Sequence, residues 1–392
     1  MDLKVGIIGF GMRAGLAREA HVPGRGSRVV AVCEITAAGR DAAASQYPDA
    51  FVTADIDELL ACDLDAVMVF TPDDAHAPAV IPALEAGLAV FSEKPLATTI
   101  ADCDAILETA HRTGSRLYVG HNMRHMPVIR LMRDIIAGGT IGQVKAVWCR
   151  HFVGHGGDFY FKDWHADRSK STGLLLQKGA HDIDVIHWLA GAYTEQVQAM
   201  GELSVYGDLT DRRDRSGELM RDWFSLENWP PTEQTGLNPV IDVEDISQVN
   251  MRLDGGVLAS YAQCHFTPDY WRNYTVIGTH GRMENFGDEP GSRIGVWTHR
   301  KRGSGEPDDT HVVLHAEGGH GGADGPMVAE FLEFVRGGGP TTTSAVAARH
   351  AVATGVLATQ SIRTDGATLA VPAVSAEIAA HFEAGRPARA NR

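Results

Sequence analysis

The 392-residue chain carries a formal charge of −15, with 35 Lys and Arg against 50 Asp and Glu. That balance excludes nucleic acid and anionic membrane as main partners, because binding phosphates needs a cationic excess. With 44% hydrophobic and 22% charged residues the chain is long enough for two domains with cores of their own, and no apolar run is long enough to span a membrane.

Five cysteines, Cys33, Cys62, Cys103, Cys149 and Cys264, are scattered with no C-x-x-C pair. Reduced thiols in a cytoplasmic protein are expected, with neither a disulfide frame nor a zinc site. Met1 leads straight into an apolar run, with no basic stretch followed by an apolar one that would mark a signal peptide.

Leu3 to Ile8 has the apolar character of a strand buried in a parallel sheet. Gly9-Phe10-Gly11-Met12-Arg13-Ala14 follows and continues as a helix. This is G-x-G-x-x-A between strand and helix: Gly9 permits the tight turn, Gly11 lets a pyrophosphate approach the backbone, and Ala14 keeps helix and strand close. The next strand, Arg28 to Cys33, ends at Glu34, an acid placed to accept from the adenine-side ribose hydroxyls. Its charge would repel a 2′-phosphate, which favours NAD over NADP, with Arg40 close enough in sequence to complicate that preference.

Ala66 to Phe70 is a further buried strand. It ends in Thr71-Pro72-Asp73-Asp74-Ala75-His76, and a helix from about Pro78 to Ala86 stops at Gly87. Leu88-Ala89-Val90 leads into Phe91-Ser92-Glu93-Lys94-Pro95, where an acid and an amine stand at a strand end. Two readings are open: a solvated ion pair on a polar turn, or a lysine in a partly dry crevice that moves a proton. A threonine of Thr98-Thr99 is expected to cap the next helix, and Leu117 to Gly120 forms a strand ending in His121-Asn122-Met123-Arg124. Strand and helix alternate throughout, the signature of a doubly wound parallel sheet.

Gly9-x-Gly11-x-x-Ala14, Thr71-Pro72 with His76, Glu93-Lys94-Pro95 and Asn122-x-Arg124 occur in this order. Together they resemble the glucose–fructose oxidoreductase/inositol dehydrogenase (Gfo/Idh/MocA) family, over Lys4 to about Ser361. The resemblance implies an N-terminal Rossmann domain, here residues 1–124, and a C-terminal α/β domain on a large open, mostly antiparallel sheet, here 125–372, followed by a tail, 373–392. It implies a catalytic Lys94 and a Glu93 that meets the nicotinamide ribose, with Thr71, Pro72, His76 and Asn122 lining the dinucleotide beside Phe10, Met12 and Arg13. Arg124 falls at the substrate end of this set.

A helix from Pro127 to Ala137 ends at Gly138-Gly139, and Gly142 to Arg150 is the first long strand of the second half. From His151 to Lys170 the chain reads as a loop crowded with His151, His155 and Trp164. No acid or thiolate spacing suits a metal there, and aromatic and polar side chains on a long loop suit sugar recognition. Gly179-x-His181-x-x-Asp184 leads into a helical apolar pattern. It places His181 in the first turn, where the dipole lowers an imidazole pKa. The motif matches the resembling family, with a departure: Gln177 stands where many of its dehydrogenases carry aspartate, and an amide cannot accept a proton. Lys178 beside it is positioned to supply the missing polar contact.

Residues 207–238 are polar and read as an insertion, a lid or an oligomer arm. Val243–Leu253 and Val257–His265 form an antiparallel hairpin, and 274–278 and 281–285 extend the sheet. Gly318 to Asp324 is a flexible loop whose His320 either reaches a crevice or is solvated. Helices at Pro326–Arg336 and Ala345–Ile362 follow.

Three functions compete: an NAD-dependent dehydrogenase for a secondary hydroxyl of a sugar, glycoside or polyol; an NAD-dependent glycosidase working by transient C3 oxidation; and a non-catalytic dinucleotide-binding regulator, against which Lys94 and His181 argue. A homo-oligomer is expected, since the resembling family buries its open sheet face between subunits.

Overall fold

The computed structural model describes residues 1–303, 305–314 and 318–383. Strands β1 (Leu3–Ile8), β2 (Ser27–Cys33), β3 (Phe51–Thr53), β4 (Ala66–Val69), β5 (Ala89–Ser92) and β6 (Leu117–Val119) pair in parallel, in the order β3-β2-β1-β4-β5-β6. The order reverses between β1 and β4, so a crevice opens beyond their carboxyl ends. The glycine loop, the Thr71 turn, Glu93-Lys94 and His121-Asn122 follow β1, β4, β5 and β6, and all four lie on this rim. Of the two threonines before the helix Ile100–Thr113 it is Thr99 that caps it, its hydroxyl accepting from the Asp102 amide at 3.0 Å.

The second sheet has nine strands: β7 (Val144–Phe152), β8 (Thr194–Glu202), β9 (Ile246–Leu253), β10 (Leu258–Cys264), β11 (Trp271–Gly278), β12 (Arg282–Phe286), β13 (Arg293–Trp297), β14 (Asp309–Val312) and β15 (Leu369–Ala370). Their order is β14-β13-β12-β11-β7-β10-β9-β8-β15, and every pair is antiparallel except β7 with β10. Alternation decides the faces. Val147, Cys149 and His151 of β7 and Ala259, Tyr261 and Gln263 of β10 point inward, where Val147, Cys149, Ala259 and Tyr261 join the core under Val185, Ile186 and Leu189 of the helix Gly179–Ala190. The opposite face is open, with Trp148 49% and Leu258 52% exposed.

Two late helices tie the sheets together. Asp324–Gly337 packs Met327, Val328, Phe331 and Val335 against Val5, Ile7, Phe91 and Tyr118 of the first sheet. Ala345–Ile362 lends Ala348 and Val352 to the first core and Ala358 to the second. Small residues allow this contact: a Cβ on Gly355 would come within 2.8 Å of the Leu175 carbonyl oxygen.

Three sequence expectations change. His151 to Lys170 is not one loop: His151 lies in β7, and short helical turns at Gly156–Tyr160, Trp164–Ala166 and Arg168–Ser171 follow. Side-chain caps from Asp163 and Asp167 start the last two turns, so local hydrogen bonds win over a weak apolar pattern. The loop before Asp324 contains a tight turn, Gly319–Gly322, with His320 at φ +50°. The tail carries a helix, Ala376–Glu383, because Ile378 is buried in the first core; residues 384–392 lie outside the described residues.

Candidate active site

The dinucleotide end is built by the glycine loop. Gly9 has φ +87°, and a Cβ there would sit 2.8 Å from the Phe70 carbonyl carbon, so only glycine fits. A Cβ on Gly11 would meet nothing within 4 Å, which leaves its backbone open to a large ligand such as a pyrophosphate. Glu34 is buried beside this loop, its carboxylate accepting from the Phe10 amide at 2.7 Å and the Thr36 amide at 2.7 Å. Arg40, which complicates the cofactor preference, donates to the Glu34 and Ile35 carbonyls. Met12 is exposed. Arg13 crosses the crevice to Glu93 at 2.6 Å and to Asp324 and His320 at 3.3 and 3.2 Å. Burial opposes that charge, yet Glu93 and Asp324 hold the guanidinium above its ordinary pKa. His320 therefore lies against Arg13 and Asp324, on the dinucleotide side.

Thr71 Oγ1 and Asn122 Oδ1 are buried without partners, as groups awaiting a ligand would be. Pro72 is exposed beside them. His76 is 1% exposed and lies between the Thr71 and Pro95 carbonyls at 3.1 and 2.6 Å, joining two rim loops from beneath. These residues fit a dinucleotide: an open glycine cradle, an acid at the second strand and orphaned polar atoms along the rim.

The chemical corner is at the end of β5. Glu93 is 4% exposed and is held by Arg13 and by the Lys94 amide. Lys94 is not its surface ion-pair partner: the Lys94 Nζ donates to the Gln177 carbonyl at 3.0 Å, across the gap between the two sheets. Burial pushes the Lys94 amine below its ordinary value, while Asp73 and Glu93 pull the other way. Asp73 is 4% exposed with Oδ2 unpartnered, and burial, against Lys94, raises its carboxyl well above the usual range. The sequence offered no signal for Asp73 beyond a turn acid.

From the other side come Gln177, Lys178 and His181. His181 Nδ1 and Gln177 Oε1 are buried and unpartnered. Burial, with Lys94 and Lys178 adding to it, holds His181 well below the ordinary histidine value. His121, from the first sheet, faces it with ring centroids 6.2 Å apart and is also lowered by burial. The corner thus gathers an amine drawn down, an imidazole held neutral and a carboxyl pushed up, the mix of groups that proton transfer needs.

Other residues expected at the substrate are engaged by partners of their own. Arg124 and Asp184 grip each other, Nε–Oδ2 2.7 Å and Nη2–Oδ1 2.6 Å, and Arg124 also donates to the Thr342 carbonyl. Both charges are spent inside this contact. His151 is wholly buried, its Nδ1 3.2 Å from Asp182. His155 stacks on Tyr270, and Trp164 stacks on His165 with centroids 3.8 Å apart. The 207–238 segment folds back over this wall: Asn228 and Gln234 donate to Asp158, and Phe224 packs on Phe159.

A Rossmann sheet whose rim meets an acid–base corner from a second α/β domain defines a dinucleotide-dependent oxidoreductase. The chain belongs to the Gfo/Idh/MocA oxidoreductase family: residues 3–121 match its NAD-binding Rossmann fold and residues 133–371 its C-terminal alpha/beta domain. Over 194 residues it is 34% identical to inositol 2-dehydrogenase of Salmonella typhimurium, covering 48% of this chain and 55% of that one. It is 30% identical to 2,7-anhydro-N-acetylneuraminate hydratase of Mediterraneibacter gnavus, covering 52% and 57%. The chain thus spans about half the length of these two relatives. The fold is that of levoglucosan dehydrogenase solved with NADH and L-sorbose, with TM-score 0.77, 19% identity and coverage of 95% and 100%. All five cysteines are free, and among the described residues no helix is long and apolar enough to cross a membrane.

Proposed function

We propose that the protein oxidises a secondary hydroxyl of a sugar, glycoside or polyol, using NAD. The observation that carries this reading is the Lys94 amine, drawn below its ordinary pKa at the end of β5 and aimed at the Gln177 carbonyl across the cleft. NAD bound on the glycine loop supplies the hydride acceptor. Gly9, Phe10, Gly11, Met12 and Arg13 hold the pyrophosphate end, Glu34 the adenine-side ribose, and Glu93, Thr71 and Asn122 the nicotinamide end. Lys94 takes the hydroxyl proton, and His181, neutral and partnerless at Nδ1, orients that hydroxyl or shares the proton. The inositol dehydrogenase and levoglucosan dehydrogenase relatives support this substrate class.

A second reading has its own support. Gln177 replaces an acid, Lys178 adds another amine, and one relative is named a hydratase. A redox-neutral glycosidase or hydratase would use the same corner for transient oxidation, elimination, water addition and re-reduction. Steady-state NADH release over a sugar and glycoside panel separates the two: accumulation supports the dehydrogenase, and product formation without NADH overturns it.

The open face of the second sheet, with Trp148, Met200 and Leu258 exposed, supports a homo-oligomer. A monomer across a wide concentration range in light scattering would overturn that.

A further inference from the structure

The proposed chemistry employs Lys94 and His181 but leaves Lys178 without a task. The Lys178 Nζ lies 5.8 Å from the centre of the Tyr160 ring, with no hydrogen bond or ion pair among the described residues. The acids that face it are spent elsewhere: Asp182 pairs with Arg272 Nε at 2.9 Å and Asp288 with Arg272 Nη1 at 3.0 Å. Burial, then Arg272 and Lys94, push the Lys178 amine down to about 7, with Asp182 and Asp288 opposing. The imidazoles around it, His151, His155, His181 and His265, are each lowered by burial and add no fixed charge. Lys178 is half-buried, and a partly desolvated ammonium without a counter-ion gains from anything negative placed beside it.

Other donors stand at the same end of the cleft. Gln263 is 2% exposed; its Oε1 accepts from the Tyr261 hydroxyl at 3.1 Å, while its Nε2 has no partner. Its Oε1 lies 3.7 Å from where a Cβ on Gly179 would stand, one residue from Lys178, which puts the side-chain amide beside that residue. His181 Nδ1 is unpartnered as well. Gln177 Oε1, a neutral acceptor without a partner, suits a hydroxyl.

We propose that this end of the cleft recognises a carboxylate, so that the substrate is a sugar acid whose carboxylate faces Lys178 while the hydroxyl to be oxidised faces Lys94. The inference rests on the oxidoreductase reading of the cleft and narrows its substrate class. A fixed carboxylate also explains how a site lacking the usual acid at Gln177 orients a polyhydroxylated ligand, since one charged anchor sets which carbon meets Lys94.

The test is titration calorimetry on the NADH-loaded protein. D-Glucuronate, D-galacturonate, D-gluconate and tartrate are each compared with the neutral counterpart, and glucose 6-phosphate forms a separate arm. At least one acid is expected to bind about tenfold or more tightly than its neutral partner. That preference should vanish in Lys178→Met and largely survive in Lys178→Arg, with NADH affinity unchanged in both as the check on folding. It should also fall as pH rises above about 7, because the anion selects the protonated amine. Acids within twofold of every neutral partner, a preference surviving Lys178→Met, its loss in Lys178→Arg, or tighter binding of the phosphate would each overturn the proposal. Binding is read without turnover, so an inactive protein that still prefers acids would count only against the oxidoreductase reading. A Lys94-dependent dehydrogenase indifferent to the carboxylate would count only against this inference.

Discussion

Two buried polar clusters meet at the helix Gly179–Ala190, one around Asp182 and one around Lys94 and His181, and their charges are handled differently. The Asp182 carboxylate itself is fully engaged: Arg272 pairs with Asp182 and Asp288, the Tyr261 hydroxyl donates at 3.2 Å, and the Tyr274 hydroxyl donates as well. Burial alone would raise the Asp182 carboxyl, but Arg272 and its other partners hold it far below the usual carboxylate range. Around Lys94 the accounts stay open: Asp73 Oδ2, Gln177 Oε1, Thr71 Oγ1 and His181 Nδ1 all lack partners, and the amine and the carboxyl are shifted toward neutrality. A saturated network fixes two segments in place; an unsaturated one stores unmet hydrogen bonds for a ligand. Both clusters are buried, so the degree to which their charged groups are paired is what distinguishes them.

The sharpest way to break this contrast is to cut one residue from each cluster. Lys94→Ala should lower turnover about 10²–10⁴-fold, the usual range for a general acid or base, with little change in NAD affinity and no loss of stability. Asp182→Ala should do the reverse in kind, costing about 3–5 kcal/mol in urea denaturation because it strips buried Arg272 of one of its two acids and the Tyr274 hydroxyl of its acceptor. A Lys94→Ala protein that turns over normally, or an Asp182→Ala protein as stable as wild type, would dissolve the distinction.

A smaller effect belongs to Glu34. Its carboxylate, already directed at the Phe10 amide of the glycine loop, should make NAD bind at least about tenfold tighter than NADP, which is ~1.4 kcal/mol. Equal dissociation constants would remove Glu34 from the site.

The finest test is a pH profile. Burial lowers the Lys94 amine, and Asp73 is the largest influence pulling it back up. Asp73→Asn removes that charge, so the protonated amine loses support and its pKa falls further. If Lys94 acts as the base, it must be neutral, and the acid limb of kcat/KM should therefore move to lower pH. An unmoved limb, measured with the same substrate, would place Asp73 outside the proton-transfer machinery.

Much of the architecture was legible because it is local. Helices Pro127–Ala137 and Ala345–Ile362 begin and end where their sequence punctuation puts them, and β1 runs from Leu3 to Ile8 as its apolar run requires. The hairpin of β9 and β10 follows from alternation around Asp254-Gly255-Gly256. The weak strands β3, β13, β14 and β15 escaped notice because each is short, and β8 because its outward residues are mostly polar and its apolar spacing is sparse.

The sequence by itself determined the Rossmann half, the glycine cradle and the rim position of Glu93 and Lys94, since strand–turn–helix order and residue type suffice for those. Tertiary structure alone decided which charges meet. Arg124 looked like a substrate contact until it met Asp184, 60 positions away. His151 looked like a loop ligand until β7 turned it inward onto Asp182. Asp73 looked like a turn acid until burial set it in the field of Lys94. Periodicity records which face of an element is apolar, but a buried charge is defined by the partner that folding brings to it, and no local pattern encodes that partner.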